Sequence, residues 1–314
     1  IEIICINDGS TDGSLKILRE YADRDERVIL IDKKNEGYGV GMNTGMDIAT
    51  GEYIGIVEPD DFVPLTMYED LYNIAKENEL DFVKADFYRF TRDERTGKLN
   101  LVYNRLDSSG ENYNQVICPF EKPYVTKFIM NTWSGIYRRK FIEEHRIRHN
   151  TTPGAAFQDN GFFWQTFMYA KRCMFLDRPY YMNRRDNPNS SVKNKEKVYC
   201  MNIEYDFIRD IFMQKGNEEL WNRFKYYYNY KRYFSYFFTL GRISREFKHG
   251  YVDRISKEFK RAQSQDELDF KVFTPNTRKK ISLLIQKPIA YYWKYVVFAE
   301  SPAGKMFRKI KNSL

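Results

Sequence analysis

Glu52-Tyr53-Ile54-Gly55-Ile56-Val57-Glu58-Pro59-Asp60-Asp61-Phe62-Val63-Pro64-Leu65 is the stretch on which the fold turns. Tyr53 to Val57 is a short apolar run of strand-forming residues, and Glu58, Asp60 and Asp61 stand directly behind it. Carboxylates that close repel one another. They stay ionised together most easily around a divalent cation whose remaining oxygen ligands come from a bound molecule. Open α/β sheets hold their ligands at the carboxyl ends of strands, so the stretch predicts a strand that ends in a ligand site. Asp61 also suits a cap for the helix that Pro64 opens, a role that leaves the other two carboxylates unexplained.

Outward from this stretch, strands and helices alternate. Ile1 to Ile6 reads as a buried strand, Asn7 to Ser14 as a polar turn, and Leu15, Leu18 and Ala22 as the apolar stripe of a helix. Val28 to Ile31 predicts a second strand. Between Asn35 and Gly51, five glycines surround Asn43, Met46 and Ile48, the pattern of a loop entering a small-residue helix that admits a close neighbour. Met67, Leu71, Ile74 and Ala75 form the inward face of the next helix, and Asp81 to Ala85 a further strand. Such alternation implies an α/β fold with a mostly parallel sheet covered by helices.

Beyond Asp86 the pattern breaks, and Asp93 to Lys98 reads as the turn of a hairpin or of an inserted lid. Arg138 to Glu144 is helical, Phe157 to Trp164 opens another helix, and Cys173 to Leu176 and Pro179 to Asn183 read as two strands. Arg184 to Ser191 closes this part as a basic, turn-rich loop. Past Tyr199 the signals are helical. The expected division is 1–199 for an α/β domain and 200–314 for a helical region.

Charge is unevenly placed. Residues 1–200 carry 28 basic and 31 acidic side chains, whereas residues 201–314 carry 23 and 12, so the second part faces something anionic. Trp221 to Leu240 holds eleven aromatic residues, a density more typical of a core or an interface than of a sugar platform. The segment 271–314 has ten basic residues, one acidic residue and a cluster of rings. That composition suits a helix on anionic lipid headgroups, against the plainer readings of a solvated helix or an oligomer contact. No nucleic-acid motif accompanies it. Cys5, Cys118, Cys173 and Cys200 are too widely spaced for a zinc motif and too few for a disulfide scaffold, so the expectation is a reducing cytoplasm. No run of eighteen apolar residues offers a membrane span, and no secretory signal opens the chain.

Four groups of residues carry chemistry. Asp8 follows a strand and is placed either to accept hydrogen bonds from a ligand or to cap the next helix. Glu58, Asp60 and Asp61 offer hard oxygen ligands, which select magnesium or manganese with phosphate and water completing the shell. Asp159, set among Phe157, Phe162, Phe163 and Trp164, is the candidate general base because desolvation raises a carboxyl pKa; its plainer role is a helix cap. Arg184 and Arg185, beside Ser190, Ser191 and Lys193, suit a diphosphate or simply a solvated loop. His145, His149 and His249 form no nucleophile–base spacing and receive no role.

Together these residues resemble the inverting glycosyltransferases of family 2, which have the GT-A nucleotide-sugar fold, and the resemblance runs from Ile1 to about Ser191. Asn7-Asp8-Gly9-Ser10-Thr11-Asp12 is similar to that family's Asp-Asp-Gly-Ser-Thr-Asp turn, whose second Asp meets uracil, a role that falls on Asp8. Asn35-Glu36-Gly37 with Met42-Asn43-Thr44-Gly45 resembles the segment lining the nucleotide, which implicates Gly37 and Asn43. Glu58-Pro59-Asp60-Asp61 stands where the family has its Asp-x-Asp metal motif. Asp60 matches the metal ligand, and Glu58 replaces the first Asp, which leaves it two alternative roles, at the ribose or at the metal. Gln158-Asp159-Asn160 matches the motif whose Asp deprotonates the acceptor. Family members open with a strand and a Pro-x-Tyr-Asn loop, so the resemblance implies an N-terminally shortened domain lacking its first β-strand and helix. Restoring about thirty to forty residues, one βα unit, is expected to raise donor affinity.

The resemblance implies an enzyme of the hexosyltransferase type that moves a sugar from a nucleotide-diphosphate donor, a UDP-sugar, to a hydroxyl of a glycan or lipid-linked acceptor. A divalent ion (Mn2+ or Mg2+) at Asp60 offsets charge on the leaving diphosphate, and Asp159 activates the acceptor for a single inverting displacement. No covalent intermediate is needed, in keeping with the lack of a Ser, Cys or His nucleophile. Relatives in flavour are bacterial capsule, lipopolysaccharide and teichoic-polymer enzymes. The expected location is cytoplasmic, peripheral at the inner face of the cell membrane, with oligomerisation open. Glu58, Gln158 and the shortened start also suit a non-catalytic nucleotide-sugar or glycan-binding module, and the basic tail a membrane-surface scaffold.

Overall fold

Tyr53–Gly55 contributes only three residues of strand before the chain turns at Pro59, and a longer strand, Phe82–Arg92, carries most of the pairing around it. The computed structural model describes residues 1–153, 156–188, 195, 197–302 and 306. The chain divides into two units, one of residues 1–190 and 203–220 and the other of 191–202 and 221–314.

In the first unit, β1 (Ile3–Asp8) pairs in parallel with β2 (Val28–Lys33) across α1 (Ser14–Ala22), in a register that sets Asp8 beside Lys33. α2 (Tyr38–Ile48) then leads to β3 (Tyr53–Gly55), α3 (Met67–Glu77) and β4 (Phe82–Arg92). β5 (Leu99–Asn104) returns as a hairpin, the first of the two readings of Asp93 to Lys98. The Asp93 carboxylate accepts the N–H groups of Arg95 and Thr96, and Gly97 takes the left-handed conformation that the turn requires. β6 (Gly135–Arg138) runs antiparallel between β3 and β4, and α4 (Arg139–Glu144) follows it. α5 (Asp159–Tyr169) packs on the sheet before β7 (Cys173–Arg184), which lies parallel to β4.

The α/β class holds, but the strands form two sheets, a parallel pair β1·β2 and a mixed sheet of β3, β6, β4, β5 and β7 in which β4·β7 is parallel and the other ladders are antiparallel. Gly135 makes the central contact possible, since a Cβ there would lie 2.1 Å from the Val83 carbonyl oxygen. Residues 173–184 form one strand rather than two. A register shift opposite Asp86 lets Asp177 and Arg178 bulge out, and both are exposed.

α5 is buried on all sides from Asn160 to Met168, and its rings make most of that contact. Its Phe167 packs on Phe82 of β4 at 5.1 Å and on Phe163 at 4.1 Å, and Phe128 meets Phe175 of β7 at 4.9 Å. Each such ring contributes about 1.5–3 kcal/mol by leaving water, so the sheet that carries the acidic turn and the helix that carries Asp159 are locked together.

The second unit is helical among the described residues: the start of α6 (Cys200–Phe212), most of α7 (Glu218–Arg242), α8 (Arg245–Ser264), α9 (Pro275–Gln286), α10 (Pro288–Tyr292), a π-helical turn (Trp293–Val297) and α11 (Phe298–Glu300). Tyr228, Tyr233, Tyr236, Tyr251 and Phe259 form its core, with the Arg232 guanidinium 4.8 Å above the Phe259 ring. The aromatic block is therefore partly core, while Phe234, Phe237 and Phe238 remain exposed. No described helix is long and apolar enough to cross a membrane.

Candidate active site

β1 ends on Asp8, whose carboxylate accepts Lys33 Nζ at 2.6 Å, the Glu36 N–H at 3.0 Å and the Gly37 N–H at 2.8 Å. Burial alone would raise this carboxyl. The Lys33 and backbone hydrogen bonds outweigh it and hold the group below the usual carboxylate range. A carboxylate has about four acceptor positions, so Asp8 keeps room for one further donor. Gly9 next to it has φ +74°, and a Cβ there would lie 2.8 Å from the Asn35 nitrogen.

The three residues that open α2 each reach a different part of the site. The Gly37 N–H meets Asp8. Tyr38 Oη donates to Glu58 Oε1 at 2.9 Å, and the Gly39 N–H donates to Gln158 Oε1 at 3.0 Å. Gly37 adopts φ +95°, which favours glycine, and Gly39 has no room for a side chain because a Cβ would lie 1.9 Å from the Asn150 carbonyl oxygen. Asn43, one turn on, is spent on the backbone: Nδ2 donates to the His149 carbonyl at 3.0 Å and Oδ1 accepts the His149 N–H at 2.9 Å. His149 itself is buried, stacked on Phe162 at 4.7 Å, and burial lowers it to about 3, which keeps the ring neutral.

The acidic turn is held against β7. The Phe62 and Met182 backbones exchange hydrogen bonds, and the Glu58 N–H donates to Tyr181 Oη at 2.9 Å. Asp61 accepts the Arg184 N–H at 2.6 Å and Asn183 Nδ2 at 3.0 Å, so it does not cap the following helix; Thr66 is the cap residue of α3. Asp60 Oδ2 accepts Asn187 Nδ2 at 2.7 Å. Burial pushes Glu58 up to about 7, opposed by the Tyr38 hydrogen bond and aided by the charges of Asp159, Asp61 and Asp60. Among the described residues no three His, Cys, Asp or Glu side chains form a ready metal cage. The donor set still fits magnesium or manganese, which bind through one or two carboxylates plus substrate phosphates. Asp60, whose only hydrogen bond among the described residues is to one oxygen, is the group placed for that.

Asp159 is the first residue of α5, two positions after Phe157, which is held at φ +74°. A bulky residue in that region is strained, and such strain concentrates at functional sites. Burial raises Asp159 to about 6, against hydrogen bonds from the backbone and Asn160 and the positive charge of Lys84. Lys84 on β4 is fully buried and donates to the Asn131 carbonyl at 2.5 Å and to Asn131 Oδ1 at 2.6 Å. The charge of Asp159 is among those that push Glu58 toward its protonated form.

Arg184 presents its backbone to Asp61 and its guanidinium to Asp186 at 2.6 Å, and Arg185 is exposed. Ser190, Ser191 and Lys193 lie outside the described residues. The structure therefore brings Asp8, Gly37, Glu58, Asp60, Asp61 and Asp159 around the first turn of α2. It turns the Asn43 side chain toward the His149 backbone. Tyr38, Lys84, Tyr181 and Glu204 were missed from sequence. Lys84 had a signal, a lone charge inside the apolar strand 82–85, and so did Glu204, on the face of α6 shared by Met201, Tyr205 and Ile208, all buried.

Comparison with known proteins agrees with this arrangement. The family model described as Glycosyl transferase family 2 matches residues 1–146. Uncharacterized glycosyltransferase EpsJ of Bacillus subtilis (strain 168) is 36% identical over 191 residues, 60% of this chain and 54% of that protein. Poly(ribitol-phosphate) beta-glucosyltransferase of Bacillus spizizenii (strain ATCC 23059 / NRRL B-14472 / W23) is 42% identical over 197 residues, 61% of this chain and 28% of that protein. The chain thus spans about half of the first relative's length and less of the second's. The crystal structure of S. aureus TarS 1-349 in complex with UDP-GlcNAc superposes with a TM-score of 0.66 at 15% identity, over 98% of this chain and 82% of that one, which shows a shared fold. The strand–turn–helix order, the acidic turn and these matches lead to one conclusion: residues 1–146 match the glycosyl transferase family 2 model, and the chain has the GT-A fold.

Proposed function

We propose that the chain transfers a hexosyl group from a UDP-sugar to a hydroxyl of a glycan or lipid-linked acceptor, with inversion, in the synthesis of a bacterial cell-surface polysaccharide. The observation that carries this reading is the placement of Asp159, a part-buried carboxyl on the first residue of α5, tied through the neighbouring Gln158 to the first turn of α2 and lifted by burial to about 6. Such a group is ionised near neutrality yet basic enough to take a hydroxyl proton. Asp8 and Gly37 receive the uridine side of the donor, with Asn43 acting through the His149 backbone that it clamps. Glu58 lies toward the ribose, and Arg184 and Arg185 toward the diphosphate. A divalent ion held at Asp60 supplies charge neutralisation for the leaving diphosphate. The names borne by the Bacillus spizizenii relative and by the TarS complex support a glucosyl-type donor and a UDP carrier.

The second unit supports a peripheral membrane partner. Phe234, Phe237 and Phe238 are exposed at helical i, i+3, i+4 spacing, and Lys280 lies over both Phe237 at 5.7 Å and Tyr295 at 5.3 Å. Ile289, Trp293 and Phe298 are exposed as well, with Lys287 just before them and Lys294 among them. Rings mixed with lysines suit an anionic lipid surface on the cytoplasmic side.

The test is a panel of nucleotide sugars with Mn2+, with Mg2+ and with chelator, read by nucleoside diphosphate release and by the anomeric configuration of the product. Release from one or more UDP-sugars that needs the metal, with inverted product, supports the reading. Donor binding without turnover on any acceptor would instead indicate the binding-module alternative. Flotation with anionic but not zwitterionic vesicles tests the membrane partner.

A further inference from the structure

Glu204 lies near the start of α6 and is 1% exposed. Its two oxygens serve different partners: Oε1 accepts the Gly161 N–H at 2.7 Å, and Oε2 accepts Asn150 Nδ2 at 3.0 Å. Gly161 is the third residue of α5, a position whose N–H is ordinarily satisfied by the helix's own cap side chain. That side chain is Gln158, and its amide is diverted, with Oε1 on the Gly39 N–H and Nε2 on the Thr152 carbonyl at 3.1 Å. The helix that carries Asp159 on its first residue is therefore capped from another helix. The approach is close, since a Cβ on Gly161 would lie 2.6 Å from Glu204 Oε1.

Asn150, the second partner, uses its Oδ1 on the Thr152 N–H and hydroxyl, and its carbonyl is the group against which Gly39 packs. One carboxyl thus fixes both the first turn of α5 and the segment on which the opening of α2 rests. A glutamine would offer Gly161 an acceptor but would turn a donor amide toward the donor amide of Asn150.

We propose that Glu204 is a positioning residue for sugar transfer, holding the first turn of α5 and Asn150 so that Asp159 meets the acceptor hydroxyl. This rests on the reading of Asp159 as the base. The titratable and charged groups acting on Asp159 are Glu58 on the acidic turn, Tyr38 on α2, Lys84 on β4 and Glu204 on α6. Burial raises Glu204, and the charge of Asp159 raises it further, against the hydrogen bonds from Asn150 and the Gly161 N–H.

The experiment measures kcat, donor KM and the pH profile of kcat for Glu204→Ala, Glu204→Gln and Asp159→Asn in the full chain, with UDP-binding stoichiometry giving the competent fraction. Per competent molecule, Glu204→Ala is expected to lose about 10- to 100-fold in kcat with donor KM within about threefold, because small misplacement of a reacting group is costly. Glu204→Gln recovers part of the loss. The acid limb of kcat moves to lower pH in Glu204→Ala, as water entering beside α5 relieves the burial that lifts Asp159. Unchanged kcat and acid limb in Glu204→Ala, or a loss matched by the fall in competent fraction, overturns the proposal. If Asp159→Asn keeps its turnover, the base reading has failed instead, whatever Glu204 does.

Discussion

The Gly39 N–H donates to Gln158 Oε1 at 3.0 Å, tying the first turn of α2 to the residue that precedes Asp159. With Gly37 on Asp8 and Tyr38 on Glu58, three consecutive residues reference the Asp8 turn, the acidic turn and the start of α5 to one another. A small change in this turn is therefore felt in all three.

Gly39→Ala is the direct probe. Its Cβ would stand 1.9 Å from the Asn150 carbonyl oxygen, so the backbone must move. Overpacking of this kind costs about 1–3 kcal/mol, and the displaced turn loosens the Gln158 contact. Thermal melting should fall by several degrees, and kcat/KM should drop more than in a Gly97→Ala control, where a Cβ meets nothing within 4 Å although φ is positive.

Tyr38→Phe removes the hydroxyl that stabilises the ionised form of Glu58. Its carboxyl, already at about 7, then moves higher. Donor affinity measured against pH should shift its acidic fall-off upward, with about a three- to tenfold loss at neutral pH, in the range of one hydrogen bond to a charged group. An unshifted curve would remove Glu58 from donor binding.

Stability should respond to pH with two opposite signs. Glu58 and Asp159 are raised above their unfolded values, to about 7 and about 6. Their contribution is complete below the ordinary carboxylate range and is lost as pH rises through those values. Asp159→Asn should accordingly raise the melting temperature at pH 8 more than at pH 5. Asp8 is lowered, so its contribution is present above the ordinary carboxylate range and disappears as pH falls through its depressed value. Asp8→Asn should be destabilising at pH 7, and the gap to the unaltered protein should close in acid.

Much of this site was legible in the residues themselves. A strand followed by three carboxylates, a glycine-rich helix start and an acid among rings are all visible in local spacing, and Asp8, Gly37, Glu58, Asp60 and Asp159 do gather around one turn. What local spacing cannot reveal is the partner contributed by a distant element. Asn43 sits in the right segment, yet its amide is consumed by the His149 backbone, a contact 106 residues away in the chain. Asp61 looks like a cap because a helix follows it, but β7 returns 123 residues later and takes its carboxylate. The antiparallel insertion of Gly135–Arg138 between β3 and β4 was similarly hidden, since strand order depends on pairing and not on sequence order.

Asn43→Ala separates scaffold from donor contact. It removes two hydrogen bonds to the His149 backbone and leaves a buried carbonyl and N–H unsatisfied, at a cost of about 2 kcal/mol in stability. Chemical denaturation should register that loss, while the donor Kd of the folded protein should change by less than about threefold, within one such interaction.

The most direct measurement is single-turnover transfer by Asp159→Asn, with UDP-sugar binding determined calorimetrically on the same sample. The asparagine keeps the shape and cannot take a proton, so transfer should fall by at least about a hundredfold, the lower range for loss of a general base, while donor affinity stays within about threefold. Transfer within tenfold of the unaltered protein, at equal donor occupancy, would contradict the account.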